Sequence, residues 1–519
     1  MRLRRTATAT LALLTVISGS AAALAAGTDP AAKEPKYAAK TFDPQVEAMN
    51  YSSGLERQNE YLTPQYQAQL RTISNENNVA ALKMQAADPA RSFVDLCGNG
   101  MDGCAGDTRL YDWQHHHYGI VSPFLFTARN GATLSGHVWA TRKGPAKRPG
   151  IVITNGSVQA DEQLYWYAAQ ALAKAGYVVM TFDPQGQGQS DTYGEGADRN
   201  EGVPAQTDGR PFFDGTEDAL DFFLSNPKHP YHPVPSCNSG TSHEAKQRSR
   251  VKSGFDAAYN PFWRILNRNK VGLAGHSYGA AGVSYIAQWD KRVKAVVAWD
   301  NLAPRNPGKS AFGNGGPDEA GCVAKQDRRP AKIRVPGLGI SADYFLPPTP
   351  NTSLPKPLAK STESLVYSKH HVDTGEIIIR GGSHLDFSYI PNSAFPASLR
   401  GPDLIDWYTT AWFDRYVKGE KSAYRRLVTR RWLHDGLEAA VDPFDDGNAF
   451  SFYYRSRLDI HAPNGKVFDC ENLRKGCRGM TNHDGYRGAY SYLAIDRSPD
   501  GKATHRVPKG HGLRLPDAK

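Results

Sequence analysis

From Tyr118 onward, apolar positions follow strand-like and helical rhythms in alternation. Residues 119–128 and 133–142 read as strands, and the Asn130-Gly131 dipeptide between them favours a tight hairpin. Residues 150–154 form a short, wholly apolar run of the kind found in buried strands. Leu164, Tyr167, Ala168, Ala171, Leu172 and Ala175 then recur at helical spacing, and Gly176 follows as a C-terminal cap. Residues 177–182 are the next predicted strand. Strand, helix, strand in this order implies a parallel sheet covered on both faces. Further strands at 270–274, 293–299, 333–340 and 376–380 and a helix at 280–289 extend the pattern. The predicted class is α/β, with a mostly parallel central sheet and helices on both faces.

The flanks read differently. Residues 1–26 carry Arg2, Arg4 and Arg5, then an apolar and small-residue run ending in Ala23-Leu24-Ala25. This is a signal-peptide pattern, cleaved near Ala25-Ala26, and it is too short to be a convincing membrane span. An exported protein without a stable membrane anchor is expected. Residues 27–107 form a polar, helical segment, with helices near 46–56 and 64–77, ending in a Gly-rich stretch between Cys97 and Cys104. The central α/β domain is placed at 108–429, with an insertion at about 191–261 that holds a helix near 216–224. A Gly- and Pro-rich excursion follows between Asp300 and Lys332, and the two segments would wall an open cleft. Residues 430–519 read as a small β-rich extension, with strand-like runs at 450–454 and 489–495.

Composition changes this picture little. The chain has 519 residues, 40% hydrophobic plus 49 glycines, which excludes disorder, collagen-like repeats and coiled coil. The net charge of +10 is spread along the chain rather than gathered in a stripe, so no nucleic-acid partner is expected. Six cysteines in an exported chain read as three disulfides, with spacing that suggests Cys97–Cys104, Cys237–Cys322 and Cys470–Cys477. No C-x-x-C pair exists, so neither a metal nor any other cofactor is expected.

The candidate chemistry sits at Gly275-His276-Ser277-Tyr278-Gly279, a G-x-S-x-G between a predicted strand and a predicted helix. In that context the serine stands on a sharp turn at the carboxyl edge of the sheet. Ser277 is the candidate nucleophile. Such a hydroxyl needs a base that is itself oriented by a carboxylate. His384 follows the strand 376–380 and can reach back as that base. Two aspartates compete to orient it. Asp343 follows the strand before the histidine's and is preferred; Asp300 follows the strand after the nucleophile. Asp386 reads as a surface or supporting residue. Oxyanion donors are expected from the amides of Tyr278 and Ser157, with Val158 the neighbouring choice for the second.

From about Gly119 to Lys418, these residues resemble a secreted bacterial serine hydrolase of the α/β-hydrolase superfamily. The resemblance rests on Asn155-Gly156 where many members have His-Gly, and on residues 175–179 leading into Phe182-Asp183-Pro-Gln-Gly-Gln-Gly. It rests also on the elbow, on Asp343 and His384 in order, and on a closing helix at 412–418. It implies an esterase- or lipase-like enzyme that forms an acyl-enzyme on a small or polymeric ester. A secreted peptidase or amidase, an acyltransferase and a silent binding protein on the same fold are the competing readings. Nothing in the sequence fixes an oligomeric state.

Overall fold

A computed structural model describes residues 86–88, 113, 119–157, 161–199, 210–303, 332–345, 353, 355–388, 400–433 and 448–482. The signal-peptide pattern, the predicted helices at 46–56 and 64–77 and the strand-like run at 489–495 lie outside these residues.

A mixed ten-stranded sheet organises the chain in the order β1-β2-β4-β3-β5-β6-β7-β8-β9-β10. β1 (Gly119–Thr127) and β2 (Thr133–Thr141) pair antiparallel, and β2 runs antiparallel to β4 (Val178–Phe182). β4, β3 (Arg148–Thr154), β5 (Leu266–His276), β6 (Val293–Trp299), β7 (Gly337–Ala342) and β8 (Thr374–Ile379) run parallel. β9 (Arg457–His461) and β10 (Val467–Cys470) close the far edge antiparallel. The β-rich extension is therefore not an appendage: its strands continue the central sheet.

Alternation along the parallel strands feeds two apolar cores, as a doubly covered sheet requires. Ile151, Ile153, Val297 and Trp299 face one side, against α1 (Trp166–Lys174) and a long helix at Arg400–Phe413. Val152, Val296 and Ala298 face the other side, against α2 (Arg210–Leu224) and, further along, a helix at Tyr278–Trp289. α2 begins well before the predicted helix near 216–224. Its Phe212, Ala219, Leu220, Phe222 and Phe223 are buried, so the stretch read as an insertion holds a core helix of the β4-to-β5 crossover. α3 (Glu244–Lys252) lies in the outer part of that stretch.

Among the described residues the further α-helices are α4 (Tyr278–Trp289), α5 (Thr362–Lys369), α6 (Arg400–Phe413) and the short α7 (Tyr424–Leu427). α6 runs on into a π-helical turn at Asp414–Lys418 and stops at Gly419, whose φ is 85°. β7 starts later than the run 333–340 suggests. The amides of Arg334 and Val335 both donate to Gln288 Oε1, at 2.6 and 2.9 Å, which withdraws them from the sheet ladder. The run 450–454 is not a strand. Ser451 Oγ accepts from the amides of Tyr453 and Tyr454 at 3.1 and 2.9 Å, which curls the chain into a turn.

Cys470 and Cys477 form a disulfide. Cys237 is also disulfide-bonded, while its expected partner Cys322 and the Cys97–Cys104 pair lie outside the described residues. Among the described residues no helix is long and apolar enough to cross a membrane.

Candidate active site

The parallel ladder brings the candidate residues to one edge. His276 pairs with Trp299 and Trp299 with Ile340, so Ser277 and Asp300 leave adjacent strands side by side. The Ser277 amide donates to the Trp299 carbonyl at 3.0 Å, and the Asp300 amide to the Ile340 carbonyl at 2.7 Å. Ser277 has φ 57° and ψ −120°, a conformation that non-glycine residues adopt only when their surroundings impose it. The imposing contacts are visible. A Cβ at Gly279 would lie 2.3 Å from the Thr154 carbonyl oxygen and 2.4 Å from that of Asn155. A Cβ at Gly156 would lie 3.1 Å from the Ser277 Cβ. Glycine at these two positions lets the loop after β3 press directly against the elbow. α4 begins at Tyr278, so its amide-rich, electropositive end faces the serine.

His384 opens a short turn beyond β8 and is buried. Ser383 and Asp386 cap that turn reciprocally: the Ser383 amide donates to Asp386 Oδ2 at 2.6 Å, and Ser383 Oγ accepts from the Leu385 amide at 3.3 Å. Asp386 is fully buried, which makes it a support of the loop and not a surface residue. The His384 ring packs against His276, with centroids 4.4 Å apart, and against Phe345 at 4.7 Å.

The carboxylate on His384 is that of Asp300, contrary to the preference for Asp343. His384 Nδ1 lies 2.5 Å from Asp300 Oδ2. Burial works to raise the Asp300 pKa. The hydrogen bond and charge of His384, the charge of Lys360 and the Ala342 amide outweigh it and hold the carboxyl below its usual range. Asp343 is more deeply buried and turned elsewhere. Its Oδ2 accepts from the Gly381 amide at 2.8 Å and lies 3.8 Å from the Arg380 guanidinium, and its Oδ1 accepts from the Ser451 hydroxyl. These partners occupy the carboxylate, so Asp343 anchors the loop that carries His384 and does not orient its ring.

The loop after β3 carries the second predicted oxyanion donor. Asn155 Nδ2 donates to Asp183 Oδ1 at 3.0 Å, and the Gly156 amide donates to the Tyr165 hydroxyl at 3.0 Å. With the Gly156 amide committed, Ser157 supplies the next amide of the loop; it is half-buried, and Val158 lies outside the described residues. Tyr278, the other predicted donor, opens α4 immediately after the serine.

Asp183 is the hub of this corner. It also accepts from the Glu162 amide at 2.7 Å and the Gln189 amide at 2.9 Å. Burial, then the nearby Glu162 and Asp161, push its pKa well above the carboxylate range. Asp161 is pushed up to about 7 by burial and by Glu162. The Asp183–Ser190 segment is thus a tight turn folded around its own aspartate. The contributions of Tyr165 and Asp183 escape sequence reading, because Tyr165 looks like an ordinary core aromatic and Asp183 like a turn residue. Among the described residues no cluster of three or more His, Cys, Asp or Glu side chains is arranged to hold a metal ion. Compared with known proteins, the chain matches no family model and no curated protein sequence at a significant level.

Proposed function

We propose that the chain is an exported serine hydrolase of the α/β-hydrolase type that cleaves carboxylic esters, with Ser277, His384 and Asp300 as its triad. The observation that carries this reading is a serine at positive φ on a strand-to-helix turn, with a buried histidine packed on the residue before it and hydrogen-bonded to the aspartate that ends the adjacent strand. The elbow after the fifth strand of a largely parallel sheet supports the fold assignment. Export rests on the sequence pattern of residues 1–26.

In this reading Asp300 holds the proton of His384 on Nδ1, leaving Nε2 free to take the Ser277 proton. Ser277 Oγ bonds to the acyl carbon, and the carbonyl oxygen takes the negative charge beside the Tyr278 and Ser157 amides. Collapse expels the alcohol, which receives the proton from His384 Nε2 and leaves an acyl-enzyme. Water, deprotonated by the same nitrogen, attacks that ester, and the acid departs as Ser277 regains its proton.

The test is direct. A fluorophosphonate probe should modify Ser277 alone, and Ser277→Ala should reduce turnover of p-nitrophenyl esters by several orders of magnitude. Aminoacyl anilides run beside the esters decide between an esterase and a peptidase. An acceptor alcohol competing with water reveals an acyltransferase. Labelling at another serine, or a fully active alanine variant, would sink the mechanism.

A further inference from the structure

Tyr165 is fully buried, yet its hydroxyl is used twice. It accepts from the Gly156 amide at 3.0 Å, and its oxygen lies 2.8 Å from His276 Nδ1. Burial raises the pKa of the phenol, so the group keeps its proton. Burial, together with the neighbouring His384, holds His276 well below the ordinary histidine value, so that imidazole is neutral. The proton assignment follows. The hydroxyl takes the Gly156 hydrogen and gives its own to the Nδ1 lone pair of His276. The ring is seated nearly parallel to Trp299, with centroids 6.4 Å apart and planes 7° apart, and against His276 at 5.7 Å.

We propose that Tyr165 is a positioning residue for the oxyanion hole, its one hydroxyl fixing the loop after β3 to the residue that precedes the nucleophile. This rests on the serine-hydrolase reading above. The two amides that would hold the oxyanion belong to different segments: Tyr278 to the elbow, Ser157 to the loop. Their separation must be kept within a few tenths of an ångström for both to reach one oxygen. The loop contains Gly156, the residue with the softest backbone. A peptide unit is rigid, so fixing the Gly156 N–H orients the unit from which Ser157 follows. Asn155, held by Asp183, anchors the loop one residue earlier. Tyr165 anchors it at the glycine, and through His276 it holds the elbow with the same atom.

The experiment is Tyr165→Phe, which keeps the ring and removes only the hydroxyl. The wild type is first shown to label at Ser277 and to hydrolyse a p-nitrophenyl ester. In the variant, kcat should fall roughly 100-fold with little change in KM, because misplaced donors weaken the transition state more than the bound substrate. The affinity for phenylboronic acid, which forms a tetrahedral adduct on the serine, should fall by the same factor as kcat/KM. A kcat within about threefold of wild type, or a lower kcat with unchanged boronate affinity, overturns the proposal. Should the variant fail to fold, His276 provides the second test. His276→Asn offers an acceptor near the Nδ1 position and His276→Leu offers none, so the asparagine variant should retain the greater activity; equal activities also overturn the proposal. A wild type that never labels at Ser277 refutes the hydrolase reading itself, whereas a labelled wild type with an unaffected Tyr165→Phe variant refutes only the positioning role.

Discussion

Two aspartates, Asp300 and Asp343, stand at the ends of neighbouring strands, and exchanging each for asparagine separates their tasks. Asp300 Oδ2 is 2.5 Å from His384 Nδ1, and its side chain is 10% exposed. In Asp300→Asn an amide NH₂ faces Nδ1 and favours the tautomer with the proton on Nε2. That nitrogen can then no longer accept from Ser277. The expected loss is about 10⁴-fold in kcat, or roughly 5.5 kcal/mol of barrier. Asp343→Asn leaves the geometry in place, because a carboxamide can still accept from Gly381 and donate to Ser451. What disappears is the charge 3.8 Å from Arg380, a buried guanidinium with no hydrogen-bond partner on its nitrogens among the described residues. At an effective dielectric constant of about 20, that attraction is worth about 4 kcal/mol. Its loss should lower the melting temperature while kcat stays within about tenfold of wild type. Steady-state kinetics on a p-nitrophenyl ester, normalised by active-site titration, and a thermal melt measure both quantities. The reverse ranking, with Asp343→Asn inactive and Asp300→Asn active, would refute the assignment of the acid.

Two other perturbations test the supporting structure. Asp161 has a pKa pushed up to about 7 from an ordinary 3.8, so folding favours its protonated form; the stability it contributes is present in full below about pH 4 and is lost as pH rises through about 7. Asp161→Asn should therefore flatten stability against pH across that window, and urea melts that keep the wild-type slope refute the burial argument. The Cys470–Cys477 disulfide closes a short loop on β10, so replacing both cysteines by alanine should cost roughly 2.5 kcal/mol and leave kcat unchanged. Non-reducing peptide mapping should join Cys237 to Cys322; a peptide linking Cys237 to Cys97 or Cys104 refutes that pairing.

Much of this was legible in the sequence because it depended on local pattern. The elbow is a contiguous pentapeptide, the parallel strands are built around short apolar runs, and the loop of His384 follows one of them directly. Which aspartate meets His384 was not legible. Asp300 and Asp343 both follow apolar strands, and what distinguishes them is where each carboxylate turns. That is decided by Ser451, more than a hundred residues beyond Asp343, and by Lys360 beside Asp300. Tyr165 was hidden for the same reason. It sits among apolar positions at helical spacing, and only the pairing of β3 with β5 brings Gly156 and His276 to its hydroxyl. The helix near 216–224 was legible, but its earlier start and its place in the core were hidden by the polar sequence around it.

The placement of Asp343 also accounts for the tail of the chain. β8 pairs with β9 only through Thr374, Gly375 and Glu376; beyond these residues β9 no longer borders it. The end of β8, from which the His384 loop departs, would there become an open edge with unpaired backbone groups. Residues 448–456 cover it. The Arg380 amide donates to the Ala449 carbonyl at 2.9 Å, the Ser451 amide to the Ile378 carbonyl at 2.8 Å, and the Ile378 amide to Ser456 Oγ at 2.8 Å. Phe452 and Tyr453 lie 5.2 and 5.6 Å from the Arg380 guanidinium, and Ser451 reaches Asp343. A histidine that must hold its ring to within a hydrogen bond of Asp300 cannot depart from a frayed edge. With Asp343 tied to the loop backbone at Gly381 and to Ser451 in the covering segment, residues 448–456 become part of the frame that holds the His384 loop.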